Sequence, residues 1–206
     1  AALSTGGRQL LWDLDNRPHP ELRALPVEGK STGFTCQAFS RDGRPLVAGE
    51  GDGGVRSWEL AARREEPRIS PHRGKVDRLA VSSDGRYLLQ ITHDHQALVW
   101  DLKVGRGAKP LPGGWTSGAF LADGSRIVMT RDAKHGGDVV MVDRASGNVR
   151  PVFDRPVSKD GQRLSLVGFD RVVVSRDGRN VAATTVRGQD EIACVWDVGG
   201  GKPRVF

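Results

Sequence analysis

The chain has 206 residues, 37% of them hydrophobic, with 27 glycines and 11 prolines; this supports one domain with a buried core and excludes a collagen-like or disordered chain. The net charge of +6 comes mainly from scattered arginine that alternates with acidic residues, so the surface reads as solvated rather than patched. No apolar run approaches the roughly 20 residues of a membrane-spanning helix, and Cys36 and Cys194 are too few for a disulfide framework or a cysteine-based zinc site.

In chain order, short apolar runs bounded by turns predict strands almost throughout. Residues 1–8 read as a second strand and Gln9-Leu10-Leu11-Trp12 as a third, so the first sheet, over residues 1–27, is partial. Four fuller units follow, at 28–70, 71–112, 113–154 and 155–206. Each has an apolar run before an Asp-Gly pair, for example Cys36-Gln37-Ala38-Phe39 before Asp42-Gly43. A second run follows, as in Tyr87-Leu88-Leu89-Gln90-Ile91, and a third ends on a large residue, as in Ala97-Leu98-Val99-Trp100. Pro67-Arg68-Ile69 and Val149-Arg150-Pro151-Val152-Phe153 read as weaker fourth strands, and Lys202 to Phe206 as the last. Asp-Gly supplies the positive-φ residues of tight hairpins. No segment holds a period of 3.6, so helix is expected only as a turn near Leu60-Ala61-Ala62-Arg63.

Two markers keep phase along the chain. A large residue followed by an acid recurs at Trp12-Asp13, Trp58-Glu59, Trp100-Asp101, Val142-Asp143 and Trp196-Asp197, at spacings of 46, 42, 42 and 54 residues. The Asp-Gly turns at Asp42, Asp84, Asp123 and Asp177 recur between them. A period near 42 with four strands per unit is the signature of a radial repeat. The Trp-acid dipeptides and Asp-Gly turns resemble the WD-repeat family of β-propellers over essentially the whole chain. The resemblance implies an all-β propeller segment of four full four-stranded antiparallel blades plus a partial N-terminal blade. The partial blade lacks its first strand and the C-terminus supplies a fourth, so an open arc of a larger ring is expected. The absence of an initiator Met points to a start further upstream.

The resemblance also implies a structural tetrad, best matched by His72, Thr92, Asp94 and Trp100, with Trp12, Trp58, Trp196, Asp52 and Asp190 as repeat anchors. A buried indole N–H, an imidazole and a carboxylate must satisfy one another, since each unpaired group costs ~1–3 kcal/mol. Lys30 stands at the loop-His position of the Trp58 unit, and Val142 replaces Trp in the 113–154 unit with Gly136 six residues before it. That unit is expected to be the least rigidly hydrogen-bonded.

Motifs for chemistry are sparse. Ala24 to Ser31 matches a relaxed phosphate-loop pattern, but a strand follows it where the phosphate site needs a helix N-terminus. His93-Asp94-His95 and the looser Asp132, His135 and Asp138 offer metal-type side chains, read as turn and loop residues. No Gly-x-Ser-x-Gly elbow occurs. No catalytic residue, metal or cofactor is expected, and the chain reads as a non-enzymatic scaffold that binds a protein or peptide. Candidate binding residues are Trp115, which is outside the repeat phase; Arg155, Lys159 and Arg163, in the segment that lengthens the last spacing; and His93 and His95. A sensor or docking region of a multidomain signalling protein, such as a Ser/Thr kinase with its catalytic domain elsewhere, is an alternative. Arginine-mediated nucleic-acid binding is a second, less favoured one. A central-channel enzyme is a third. No membrane partner is expected, and the two cysteines suit a reducing, cytoplasmic setting.

Overall fold

A computed structural model describes residues 2–5, 8–12, 22–69, 74–104, 108–156, 168–187 and 190–206. Five antiparallel sheets follow one another along the described chain. The first has three strands, β1 (Ala2–Thr5), β2 (Arg8–Trp12) and β3 (Leu22–Leu25). The second runs β4 (Phe34–Phe39), β5 (Pro45–Glu50), β6 (Val55–Glu59) and β7 (Arg64–Glu65). The third runs β8 (Val76–Val81), β9 (Tyr87–Thr92), β10 (Ala97–Asp101) and β11 (Lys109–Leu111). The fourth runs β12 (Trp115–Phe120), β13 (Arg126–Arg131), β14 (Val139–Asp143) and β15 (Val149–Arg150). The fifth runs β16 (Arg171–Val174), β17 (Asn180–Arg187), β18 (Asp190–Asp197) and β19 (Arg204–Val205). In every four-stranded sheet the spatial order equals the chain order.

The turn chemistry explains the hairpins. Ser40 Oγ donates to Asp42 Oδ1 at 2.5 Å, the same carboxylate oxygen accepts from the Arg44 amide, and Gly43 takes φ +72°. Ser82-Asp84-Gly85 and Ser175-Asp177-Gly178 repeat this arrangement. Only the glycine in each pair adopts the left-handed region; the aspartate acts as acceptor. In the fourth sheet Leu121 takes the serine's place, and Asp123 instead accepts from the Ser125 and Arg126 amides and the Arg126 guanidinium.

Sheets stack through their first strands, β4 on β8, β8 on β12 and β12 on β16. The second, third and fourth sheets have neighbours on both faces, so β5 and β9 are buried along nearly their whole length. The fifth sheet is covered on one face: Val172 is 4% exposed and Val173 is 59% exposed. The sheets form an open arc. Apolar burial between sheets, at ~25 cal/mol per Å², supplies the main stabilisation.

Some elements differ from expectation. The helical turn lies at Ala133–His135, capped by Asp132, while Leu60–Arg63 forms a plain turn. The fourth strand of the second sheet starts at Arg64 rather than Pro67, and Ile69 returns to pair with Val55. The unit carrying Val142 is held by packing and by local hydrogen bonds. Val142 is fully buried, the Thr116 and Thr130 hydroxyls bond at 2.7 Å, and the Asp132 carboxylate accepts from the His135 amide.

Candidate functional site

Four buried indoles each bond a different partner. Trp58 Nε1 donates to the Pro26 carbonyl at 2.6 Å and Trp196 Nε1 to the Asp154 carbonyl at 2.9 Å, so each pins the segment that leads into its own sheet. Trp100 Nε1 donates to Gln90 Oε1, and Gln90 Nε2 donates to the Gly53 carbonyl of the neighbouring sheet. The Thr92 hydroxyl donates to Asp94 at 2.5 Å. Thus Thr92 and Asp94 meet, but Trp100 bonds to Gln90 rather than to Thr92, because Gln90 lies nearer along the same hairpin and reaches further. His72 lies outside the described residues. Trp12 is half-buried on β2, and the Asp190 backbone opens β18. Asp52 accepts from the Gly54 amide and from Arg68.

The second sheet holds a network that the sequence reading missed. Glu50 and Arg56 are fully buried. Arg56 donates to Glu50 at 3.1 Å, to Glu65 at 2.6 Å, and to the carbonyls of Glu28 and Lys30. Arg68 closes the other side of Glu50 at 2.7 Å. Burial pushes the Glu50 carboxyl up, but hydrogen bonds from Ser31, Arg68 and Arg56 outweigh it and hold the group below the ordinary range. Where the repeat has Lys30 in place of a histidine, Arg56 grips the loop backbone instead.

The hairpins joining the second and third strands of the four-stranded sheets, and the segments entering each sheet, lie at one end of the arc. There the starts of β8 and β12, together with Asp170 just before β16, border a cleft of about 250 Å³, lined by Asp77, Arg78, Thr92, His95, Trp115 and Asp170 among others. Each side chain has a clear origin. His95 occupies the turn position that Gly53 fills in the second sheet, and it adopts φ +62° against +90° for Gly53. A non-glycine residue held there costs roughly 1–3 kcal/mol, and such strain concentrates at functional positions. His95 Nδ1 sits 3.2 Å from the Trp115 carbonyl. His93 Nδ1 meets Asp77 at 2.9 Å on the exposed rim. Burial raises the Asp77 carboxyl, but His93 and Lys75 beside it outweigh that and hold it low. Arg78 Nη1 donates to the Asp77 carbonyl, while its buried Nε has no partner among the protein groups.

Trp115 is a correction. It is fully buried, its Nε1 donates to the Leu111 carbonyl, and the Arg131 guanidinium lies 5.4 Å over its ring. It opens an innermost strand and, though buried rather than exposed, lines the cleft beside His95. Arg155 is bound at 2.5 Å to Asp138 and also to the Gly136 carbonyl, so it ties the root of the lengthened segment to the β13–β14 hairpin. That pairing draws Asp138 away from Asp132 and His135, which bond each other at 2.6 Å. Lys159 and Arg163 lie outside the described residues. Among the described residues no group of three metal-type side chains converges, and no helix is long and apolar enough to cross a membrane.

Residues 22–59 match the family model for the WD domain, G-beta repeat. That stretch is one WD repeat. The matched segment runs from β3 to the end of β6, so a WD repeat in sequence takes the last strand of one sheet and the first three of the next. The array is similar to a chain in the crystal structure of the Mitotic Checkpoint Complex, with TM-score 0.74 and 16% identity over 98% of this chain and 60% of that one. It is also similar to Kuenenia stuttgartiensis hydrazine synthase, with TM-score 0.69 and 16% identity over 87% and 51%. The β-propeller domain of Myceliophteria thermophila Cps50 (Swd1) gives TM-score 0.64 and 19% identity over 83% and 54%. The chain thus has a β-propeller fold and spans about half to three fifths of these three chains.

Proposed function

We propose that the array is a non-catalytic docking scaffold whose polar cleft at the start of β8 and β12, beside Asp170, receives a segment of a protein or peptide. The observation that carries this reading is His95, held in a left-handed conformation on the rim of a cleft that Arg78 also lines. Asp77 and Asp170 supply acceptors for a ligand's amide or ammonium groups. The sheets on either side are locked by packed indoles, so the cleft is preorganised and little ordering accompanies binding. The WD-repeat fold supports a scaffold role, and one similar chain comes from a protein complex. The two free thiols suit a reducing, cytoplasmic setting.

The test is selection of displayed random peptides on the 206-residue chain, followed by calorimetric titration of the selected peptides. Asp77→Asn, Arg78→Met and His95→Gly are each expected to weaken binding about tenfold or more. Lys202→Ser, on the exposed outer edge, is expected to leave it unchanged. Peptides whose affinity ignores all three cleft substitutions would overturn the reading.

A further inference from the structure

The opposite end of the arc has a different chemistry. The first strands of the four-stranded sheets end there on equivalent positions, Phe39, Val81, Phe120 and Val174, just before the a–b turns. All four line one cavity of about 320 Å³. Phe39 is 38% exposed, a large apolar side chain left facing solvent. Arg41 and Arg176 stand at the same turn position on the two outermost of these sheets, and both line the cavity. Arg41 Nη2 donates to the Arg176 carbonyl at 2.5 Å, so the mouth is spanned from the second sheet to the fifth.

Among the described residues neither Arg41 nor Arg176 lies within ion-pair distance of a carboxylate. The nearby turn carboxylates Asp42 and Asp177 are occupied by their own serine hydroxyls and turn amides. A cavity of this size, with its apolar side chains set among arginine and serine, is at the low end for ligand sites and takes one large side chain. Two unpaired guanidiniums above it select carboxylates.

We propose that this mouth is a second docking site, for an acidic segment of a partner protein that carries one large apolar residue between carboxylates. The apolar side chain enters among Phe39, Val81, Phe120 and Val174. Arg41 exchanges its carbonyl contact for a carboxylate, and Arg176 holds a second one. Buried aromatic contacts ringed by arginine are the usual energetic centre of such interfaces. The site is independent of the polar cleft, because it lies at the other end of the inner strands and shares no residue with it.

The experiment uses the 206-residue chain and a fluorescein-labelled pentapeptide with one leucine between two glutamates on each side, read by fluorescence polarisation. Saturable binding is expected, weakening with rising salt and falling about tenfold or more in the double variant R41E/R176E. The same peptide with serine in place of leucine is expected to lose binding, as is the variant Phe39→Ser. Lys134→Glu, on the far end, is expected to leave binding unchanged, and circular dichroism melts check that each variant folds. Absence of saturable binding, equal loss in Lys134→Glu, retention of affinity by the serine peptide, or preferential binding of single-stranded poly-uridine at the same mouth would each overturn the proposal.

Discussion

At the scale of single residues, buried polar groups decide the local geometry. Arg56 holds two carboxylates and two loop carbonyls at once, so Arg56→Met leaves Glu50 charged and short of partners in the core. That change is expected to lower unfolding stability by about 3–5 kcal/mol in urea titration. Gln90 is the link between Trp100 and Gly53, and Gln90→Leu strands a donor and an acceptor, at ~1–3 kcal/mol each. His95→Gly is expected to do the reverse and raise stability by about 1 kcal/mol, because glycine adopts that backbone freely, while weakening docking at the cleft. The Cys194 thiol is pushed up to about 11 by burial, so at pH 8 it should resist Ellman's reagent until the chain unfolds.

At the scale of elements, the Ser-x-Asp-Gly turns define the hairpins. The carboxyls of Asp42, Asp84 and Asp177 sit below the ordinary range, chiefly because the hydroxyls of Ser40, Ser82 and Ser175 donate to them. A carboxyl lowered in the folded state contributes stability that is full above its unfolded value, near 4. That stability is lost as pH falls through the folded value. Unfolding free energy is therefore expected to drop with acid below about pH 4. Ser82→Ala should shrink that drop and cost ~0.5–1.5 kcal/mol at pH 7, since the buried hydroxyl also accepts from the Tyr87 amide. These turns were legible in sequence because serine, aspartate and glycine each act locally, within five residues. The same holds for Trp58, Trp100 and Trp196, whose size fixes them in the core wherever the strand runs. Partners were not legible. Nothing in the spacing distinguishes Gln90 from a solvent-facing strand residue, and Glu50 with Arg56 reads as ordinary alternation until the hairpin folds them face to face. Trp115 misled for a related reason, since its burial depends on β13 and the preceding loop rather than on the repeat.

At the scale of the whole molecule, the distance between sheets is set by residues with no side chain. A Cβ on Gly49 would lie 2.6 Å from Val76, and one on Gly118 would lie 2.5 Å from the tip of Leu89. Val76 is β-branched and fully buried, whereas the Leu89 methyl is a movable end. Gly49→Ala is therefore expected to lower stability by about 1–3 kcal/mol and Gly118→Ala by less, measured as midpoints of thermal unfolding. The two ends of the inner strands carry different side chains, carboxylates with His95 and Arg78 at one and Phe39, Phe120 and two arginines at the other, and the two sites share no residue. The offset between repeat and sheet has a consequence for how such a protein is inherited. Since β3 belongs to the sequence unit that builds the following sheet, any cut between units slices through hydrogen-bonded backbone and leaves both pieces with a raw edge. Units overlap like roof tiles, so gain or loss of one unit during evolution is tolerated only when the seam on either side is resewn by a neighbour's strand.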